Sequence, residues 1–323
     1  MHVLVTGGAG FIGTNFVRMA VNGELIGISK VTVLDKLTYA GVKANLDSFI
    51  NSPGFTFVKG DICDPVVVGS ILNEVDSVIN FAAESHVDRS IENSVDFVNT
   101  NIVGVQVLLD ALRKSDKKKR FIQVSTDEVY GSIKTGSWGE SSPMKPNSPY
   151  SASKASAEHL VNAYHHTYGL QTLVTRCSNN YGPYQFPEKV IPLFVTNLIE
   201  GKKLPLYGDG KNVRDWLHVD DHCRGIHKVL MDGANGETFN IGGGTELSNK
   251  QLADMILKEM TFDETFVEYV KDRPGHDFRY SVDWSKIRKQ THYEPRVSFL
   301  EGLRDTIKWY RENSSWWMAL KNS

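Results

Sequence analysis

Residues 2–13 read HVLVTGGAGFIG, an apolar run that leads into three glycines spaced three residues apart. The apolar run predicts a buried β-strand, and Gly7, Gly10 and Gly13 predict a tight turn that opens a helix. Glycines let backbone N–H groups approach a pyrophosphate, which binds at the N terminus of such a helix. This stretch therefore predicts the phosphate loop of a dinucleotide-binding domain.

An acidic residue follows the phosphate loop at the spacing that such domains use. The second predicted strand, Lys30–Asp35, ends at a carboxylate that can accept hydrogen bonds from the ribose hydroxyls of adenosine. The same charge repels a 2′-phosphate, so we expect NAD rather than NADP as the cofactor. The neighbouring Lys36 weakens this preference.

Strands and helices continue to alternate through the first half of the chain. The further predicted strands are Thr56–Lys59, Ser77–Phe81, Arg120–Ser125 and Gln171–Arg176, and a helix is predicted over Ile102–Arg113. Most of these strands are almost continuously apolar, as is typical of parallel strands buried on both faces. The alternation predicts an α/β fold, a doubly wound parallel (Rossmann) sheet with a second, smaller substrate-binding region.

The composition changes near residue 179, where Gly, Pro and Asn become frequent. A chain of 323 residues is long enough for about two domains, at roughly 150 residues per domain. We expect these domains to be interleaved. Residues 1–178 and 212–241 are predicted to form the NAD-binding Rossmann domain, and residues 179–211 and 242–323 the substrate-binding domain.

The composition also excludes several classes of protein. A formal net charge of −2 provides no basic field for nucleic acid. The three cysteines, Cys63, Cys177 and Cys223, are isolated in the sequence, so they predict neither a disulfide framework nor a metal site. The sequence contains no recognisable signal peptide and no apolar run of about 18 residues. We therefore expect a cytoplasmic protein that does not bind a membrane.

Polar residues follow the predicted strand Arg120–Ser125 at its carboxyl end. Thr126, Asp127 and Glu128 lie there, and ligands of open α/β sheets bind at the carboxyl ends of the strands. Two adjacent carboxylates can form a solvated turn, but they can also provide an acid and a base side by side.

Tyr150 and Lys154 lie at the start of the next predicted helix, and their four-residue spacing places them on one helix face. A tyrosine, with an ordinary pKa of about 10, needs about 4 kcal/mol of differential stabilisation to act as a base near neutral pH. An ammonium group about 4 Å away supplies about that much at an effective dielectric of about 20. We therefore expect Lys154 to lower the pKa of Tyr150.

The sequence resembles the extended short-chain dehydrogenase/reductase family over nearly its whole length. Within that family it is similar to the nucleotide-sugar 4,6-dehydratases, since it shows no departure at their motif positions. The motifs that carry the resemblance are FAAESHVDRS at 81–90, TDE at 126–128, CSNNYGPYQFPEK at 177–189, LYGDG at 206–210, RDW at 214–216 and DRPGHD at 272–277.

The resemblance implies a hydro-lyase that acts on dTDP-glucose. Tyr150 would deprotonate the 4-hydroxyl of the glucosyl unit while NAD takes the hydride from C4, and Thr126 would hydrogen-bond the same hydroxyl. Glu128 would then remove the C5 proton, and Asp127 would protonate the departing 6-hydroxyl. Return of the hydride to C6 would give dTDP-4-keto-6-deoxyglucose.

The resemblance also implies binding residues and a homodimer built on the helices that begin near Asn101 and Tyr150. For the cofactor it implies, together with the residues deduced above, Gly7, Gly10, Phe11, Ile12, Gly13, Asp35, Lys36, Leu37, Thr38, Asp61, Ile62, Phe81, Ala82, Ala83, Thr100, Tyr150, Lys154 and Asn180. For the substrate it implies Ser85, Thr126, Asn179, Lys189, Val190, Pro205, Tyr207, Arg214, Asn249, Arg273 and His276.

Two alternative functions remain open at this point. One is a sugar-nucleotide 4-epimerase, or a dehydratase of a UDP- or GDP-sugar, and the acidic pair Asp127–Glu128 argues against the epimerase. The other is a cofactor-sensing regulator on the same fold, which should have lost Tyr150, Lys154 or the carboxylates.

Overall fold

A seven-stranded parallel sheet forms the centre of the protein, as seen in a computed structural model that describes residues 1–272 and 275–321. Its strand order is β10-β6-β5-β4-β1-β2-β3. The strands of the described part are β1 (His2–Thr6), β2 (Lys30–Asp35), β3 (Phe55–Lys59), β4 (Ser77–Asn80), β5 (Arg120–Thr126), β6 (Gln171–Cys177), β7 (Asn179–Tyr181), β8 (Leu204–Tyr207), β9 (Val213–His218), β10 (Thr238–Ile241), β11 (Glu246–Ser248) and β12 (Val267–Val270).

Helices cover both faces of this sheet. The helices of the described part are α1 (Phe11–Val21), α2 (Pro65–Leu72), α3 (Val87–Glu92), α4 (Val95–Val98), α5 (Gly104–Lys114), α6 (Pro149–Tyr168), α7 (Val190–Ile199), α8 (Val219–Asp232), α9 (Asn249–Met260), α10 (Ser285–Thr291), α11 (Phe299–Glu312) and α12 (Ser314–Lys321). Helices α1, α8 and α10 pack on one face, and α2, α5 and α6 pack on the other. The predicted doubly wound Rossmann fold is confirmed.

The six predicted strands all occur, within one residue of their predicted ends. All of them except the edge strand β3 are mostly buried, because their side chains are largely apolar on both faces; Val3, Leu4 and Val5 of β1, for example, are fully buried. The helix predicted over Ile102–Arg113 also occurs. Its apolar stripe, which includes Val105 and Leu108, packs on the sheet, and a short π-helical turn over Asn99–Val103 precedes it.

A second core lies beside the sheet and forms the smaller region. Here β11, β9 and β7 make a three-stranded sheet, and β12 pairs with β8. Helices α7, α9, α11 and α12 enclose this core, which contains the fully buried side chains of Tyr310 and Trp317. Strand β9 pairs in this small sheet, whereas the following helix α8 packs on α1. The division at residues 178, 211 and 241 stays a prediction.

The segment Val95–Lys114, which runs from α4 to α5, is longer and more apolar as a helix than the sequence analysis expected. In the part of the chain that the structure describes, it is the one helical stretch with the length and composition of a membrane span. About two fifths of its apolar window (39%) is buried inside the protein. Core helices of water-soluble proteins meet the same criteria, and this segment packs on α2 and α6.

Candidate active site

A cleft crosses the carboxyl ends of β1, β2, β4, β5 and β6, where the strand order of the sheet reverses. Sixteen of the eighteen predicted cofactor residues line it, and Leu37 and Asn180 are not among the lining residues. The predicted residues that line the cleft are Gly7, Gly10, Phe11, Ile12, Gly13, Asp35, Lys36, Thr38, Asp61, Ile62, Phe81, Ala82, Ala83, Thr100, Tyr150 and Lys154.

The phosphate loop needs its glycines because the backbone is crowded on one side and open on the other. Gly7 has a φ of +68°, and a Cβ there would lie 2.6 Å from the backbone nitrogen of Ala82. A Cβ on Gly13 would meet the backbone of Gly7. Gly10 lines the cleft at the N-cap of α1, so the loop exposes a backbone cradle that fits a pyrophosphate.

A residue far along the chain braces this loop from outside the cleft. The indole Nε1 of Trp316, in α12, donates a hydrogen bond to Oδ1 of Asn45 at 2.7 Å. The side-chain amide of Asn45 in turn donates to the carbonyl oxygen of Ala9 at 3.0 Å. The phosphate loop is therefore tied to the second core.

Asp35 lies at the end of β2, as the sequence predicts, and its carboxylate also holds backbone in place. Its two oxygens accept the N–H groups of Ala9 at 2.9 Å and Leu37 at 2.8 Å. Burial raises the pKa of Asp35, while these two hydrogen bonds lower it. Beside it, Lys36 forms an ion pair with Asp61 at 2.7 Å, so the lysine charge is already partnered.

Tyr150 and Lys154 are presented to the cleft by the first turns of α6. Ser148 caps this helix with a capping box, and Pro149 occupies its first turn. The ammonium group of Lys154 donates to the carbonyl oxygen of Val124 in β5 at 2.7 Å, and burial lowers its pKa to about 8.

The expected lowering of the Tyr150 pKa is not found in the structure. Burial raises the pKa of Tyr150 well above 10, and the negative charge of Glu128 raises it further. A hydrogen bond with Thr126 acts in the opposite direction. The prediction was based on the attraction of nearby positive charge and omitted the loss of water around the phenol, which is the largest effect here.

Asp127 and Glu128 begin a short 3₁₀ turn, Asp127–Tyr130, that follows β5 directly. Thr126 caps this turn, since its hydroxyl accepts the N–H of Glu128 at 3.3 Å. Asp127 is buried, and Oδ2 of its carboxyl group has no hydrogen-bond partner among the described residues. Burial, then Glu128 and Asp215, raise its pKa well above the usual value, which favours the protonated, proton-donating form.

Three of the predicted substrate residues line the same cleft, namely Ser85, Thr126 and Lys189. The ammonium group of Lys189 donates to the carbonyl oxygen of Ser85 at 3.2 Å. Lys189 is also the N-cap of α7, so Val190 is the first residue of that helix. Asn179 lies in β7, next to Asn180, whose side-chain Oδ1 is buried without a partner among the described residues.

The other predicted substrate residues that the structure describes lie on the second region and do not line the cleft. The rings of Tyr207, at the end of β8, and His276 are 6.3 Å apart and edge to face. Arg214, in β9, lies close enough to Asp127 for its charge to lower the pKa of that residue. The remaining positions are Pro205 in β8, Asn249 as the first residue of α9, and Arg273, which lies outside the described residues.

Several residues that line the cleft were not predicted from the sequence. Ser125, Gln185 and Glu188 each carry a buried side-chain oxygen without a hydrogen-bond partner among the described residues. Such oxygens suit a polar ligand, since buried polar atoms are normally paired. The signal for Gln185 and Glu188 was available, because both belong to the motif at 177–189. The other missed lining residues are Tyr39, Ala40, Gly41, Glu84, Val124, Cys177 and Phe186.

The site offers acid–base and dinucleotide-binding groups rather than metal ligands. Among the described residues, no three His, Cys, Asp or Glu side chains are placed to hold a metal ion. The glycine cradle, the acidic end of β2 and the unpaired oxygens fit a nicotinamide dinucleotide.

The comparisons with known proteins show that this chain is similar to nucleotide-sugar 4,6-dehydratases. The sequence profile of a family described as GDP-mannose 4,6 dehydratase matches residues 4–306. A dTDP-glucose 4,6-dehydratase from Streptomyces niveus is 53% identical over an alignment of 324 residues that covers 100% of this chain and 96% of the relative. The structure of DesIV, the dTDP-glucose 4,6-dehydratase from Streptomyces venezuelae with NAD and TYD bound, is 54% identical with a TM-score of 0.97 and covers 99% of this chain and 100% of its own.

A solved epimerase shares the fold at lower sequence identity. UDP-glucuronic acid 4-epimerase from Bacillus cereus, in complex with UDP-glucuronic acid and NAD, has a TM-score of 0.90 and is 30% identical, covering 97% of this chain and 99% of its own. The fold is thus common to both activities, whereas the sequence is much nearer to the dehydratases.

Proposed function

This chain belongs to the GDP-mannose 4,6 dehydratase family, and from that membership and its full-length relatives we infer that it is an NAD-dependent dTDP-glucose 4,6-dehydratase. It is a hydro-lyase that acts on a nucleotide sugar. The family description names a GDP-sugar, but the relatives that are more than half identical over the whole chain act on dTDP-glucose. The observation that carries the reaction type is the buried Asp127 beside Glu128 at the carboxyl end of β5.

The acidic pair and the two residues of α6 argue against the epimerase and the cofactor sensor. An epimerase only oxidises and re-reduces C4, so it has no use for a second acid–base pair after Thr126. A cofactor sensor has no use for Tyr150 and Lys154 either, yet both line the cleft.

We assign the first step, oxidation at C4, to Tyr150, Lys154 and Thr126. Tyr150 takes the proton from the 4-hydroxyl, and Thr126 hydrogen-bonds the same hydroxyl. Lys154, anchored on the Val124 carbonyl, faces the cleft beside Tyr150 and stabilises the phenolate. NAD, when bound, would supply the hydride acceptor, and its positive ring would oppose the burial that raises the Tyr150 pKa.

We assign the elimination to Glu128 and Asp127. The 4-ketone acidifies the C5 proton, and Glu128 removes it as the general base. Asp127, whose burial favours its protonated form, gives its proton to the departing 6-hydroxyl, so that water leaves. The hydride taken from C4 returns to C6, and a proton returns to C5. The balance is loss of one water and formation of dTDP-4-keto-6-deoxyglucose, with no net use of NAD.

The direct test is incubation of the purified protein with dTDP-glucose and mass spectrometry of the product. We expect the mass of the product to be lower by one water, without added cofactor. A product of unchanged mass would identify an epimerase. No conversion of dTDP-glucose, with conversion of GDP-mannose, would move the substrate assignment to the GDP-sugars.

We propose further that the protein is a homodimer assembled on the helical face formed by α4, α5 and α6. Val95, Val98 and Val103 are 60%, 45% and 41% exposed on this face, which is a large apolar exposure for a single chain. The double substitution Val98→Glu/Val103→Glu is expected to give a monomer in analytical ultracentrifugation. Ile26→Glu, at an 81% exposed apolar position elsewhere, is the matched control and should leave the dimer intact.

We also propose that the protein works in the cytoplasm. The three cysteines form no disulfide, and Cys177 lies in the cleft as a thiol. Free thiols of this kind are typical of a reducing compartment. Fractionation of the source cells, with immunodetection in the cytoplasmic fraction, tests this.

A further inference from the structure

A buried ion pair lies behind the proposed active site, and none of the steps above uses it. The guanidinium group of Arg176, in β6, donates through Nη2 to Oε2 of Glu158 at 2.6 Å and through Nε to the same oxygen at 2.9 Å. The Arg176 side chain is 4% exposed, and the Glu158 side chain is fully buried in α6. Both elements also carry residues that line the cleft.

The pair continues to the turn that carries the two carboxyl groups. Nη1 of Arg176 donates to the hydroxyl of Tyr130 at 2.6 Å, and that hydroxyl donates to Oδ1 of Asn240 in β10 at 2.8 Å. The guanidinium carbon also lies 4.6 Å from the centre of the Tyr130 ring. Tyr130 is the last residue of the 3₁₀ turn that begins at Asp127. Its hydroxyl therefore fixes the far end of that turn.

Stability alone is a weak reason for this arrangement. Burying two charges costs free energy that their attraction barely offsets, and an apolar pair of the same volume is often as stable. The ion pair fixes the orientation of the groups around it, because the planar guanidinium holds its hydrogen-bond partners in one plane. The fork here joins α6, β6 and the 3₁₀ turn, and these are the three elements that hold Lys154, Cys177 and Asp127.

We propose that Tyr130, held by the Glu158–Arg176 pair and by Asn240, is a positioning residue for the elimination step, because it fixes the turn that presents Asp127 and Glu128. Tyr150 and Lys154 are placed by the start of α6, which has its own capping box. Loss of the Tyr130 hydroxyl should therefore disturb elimination more than oxidation at C4. This proposal rests on the proposed dehydratase function.

The test is Tyr130→Phe, which removes one hydroxyl and leaves the ring in place. We expect turnover to fall about 10- to 100-fold, as displacement of catalytic groups by about 1 Å produces, with KM for dTDP-glucose unchanged. Reduced nicotinamide should accumulate during turnover, seen by its near-ultraviolet absorbance, because oxidation continues while elimination is slow. The double variant Glu158→Leu/Arg176→Met, which removes both charges together, should show the same accumulation.

Tyr293→Phe is the matched control. Its hydroxyl is equally buried but has no hydrogen-bond partner among the described residues, and its ring lies in the core against α8. This variant should turn over at the wild-type rate. If Tyr130→Phe only lowers the melting temperature, with wild-type turnover and no accumulation of reduced nicotinamide, its role is structural and the proposal is wrong. If the wild-type protein forms no 4-keto-6-deoxy product, the proposed dehydratase function is wrong, and the role of Tyr130 in elimination is then wrong as well.

Discussion

Burial and the adjacent charge of Glu128 together raise the pKa of Asp127 well above its usual value. The protonated form of the buried Asp127 is thereby favoured, while its neighbour Glu128 is partly exposed. We assign the proton donor to Asp127 and the base to Glu128. An elimination that removes a proton from C5 and protonates a leaving group at C6 requires this division.

Substitution of either carboxyl group should separate the two halves of the reaction. Asp127→Asn and Glu128→Gln keep the shape of the side chain but not its acid–base function, so we expect each to slow elimination by about 10²–10⁴-fold. Oxidation at C4 should persist, and stopped-flow absorbance should show reduced nicotinamide rising and remaining. Tyr150→Phe should show little reduced nicotinamide, because oxidation has lost its base.

Asp232→Asn is the control for these two variants, because Asp232 is half-exposed at the end of α8, far from the cleft in the fold. It should dehydrate at the wild-type rate. Wild-type dehydration by the Asp127 and Glu128 variants as well would reduce the acidic pair to a solvated turn and contradict the mechanism.

Asp35 should matter for cofactor binding beyond its effect on folding. Asp35→Ala removes the acceptor of the Ala9 and Leu37 N–H groups, next to the phosphate loop. We expect NAD to bind at least about 10-fold more weakly, from the loss of charged hydrogen bonds of about 1.5–3 kcal/mol each. Isothermal titration calorimetry of protein freed of its cofactor measures this.

Asp64→Ala provides the comparison for Asp35, since Asp64 also accepts two backbone N–H groups but caps α2 outside the cleft. It should cost about 1 kcal/mol of stability and leave the dissociation constant for NAD unchanged. Equal weakening in both variants would show that Asp35 acts only through the fold.

The hydride should stay within one active site throughout a turnover. Because NAD is regenerated in each cycle, dTDP-glucose with deuterium at C4 should give a product with deuterium in the C6 methyl group. Mass spectrometry of a mixture of labelled and unlabelled substrate shows whether transfer is internal. Label that appears in added NAD would favour an ordinary dehydrogenase instead.

Lys154 should cost the protein stability at neutral pH. Burial lowers its pKa to about 8, from 10.5, so between these values the unfolded chain holds a proton that the folded chain releases. Stability therefore rises with pH across this window, and below about pH 8 the full cost, on the order of 3 kcal/mol, is present. Lys154→Met should be more stable than the wild type at neutral pH, by about 2 kcal/mol after loss of the bond to Val124.

Urea unfolding near neutral pH and above about pH 11, beyond the unfolded-state pKa of 10.5, measures this difference. The advantage of Lys154→Met should shrink at the higher pH, where the lysine is neutral in both states. A variant that is less stable at neutral pH would mean that the bond to Val124 outweighs the cost of burial.

Most of the central sheet could be predicted because each of these strands has a recognisable apolar pattern in its own sequence. Strands β1 to β6 are rich in branched and aromatic apolar residues, and all except the edge strand β3 are mostly buried; that pattern predicts them within one residue. Strand β10, Thr238–Ile241, was missed because it has four residues and includes Asn240, whose polar side chain is buried only because Tyr130 and Trp138 bond to it. Such a pairing, across 110 positions of sequence, leaves no local pattern.

In the candidate site, too, some features could be predicted from local sequence and others depend on contacts between distant residues. Motif residues such as Gly7, Asp35 and Tyr150 could be placed in the cleft from their position at strand ends and at the start of a helix. The raised pKa of Tyr150 could not be predicted, because it depends on how much water the folded chain excludes. Nor could Glu158 be distinguished from a surface residue, since its partner Arg176 lies on another element.

The link from Trp316 through Asn45 to Ala9 has a consequence for the order of events during translation. Trp316 is synthesised 271 positions after Asn45, which takes about 14–54 s at roughly 5–20 residues per second. For that period the phosphate loop is outside or leaving the ribosome without the brace that the finished protein gives it. We therefore expect nascent chains to take up NAD late, after α12 has docked, so that loading with the dinucleotide marks a chain whose second core is already complete.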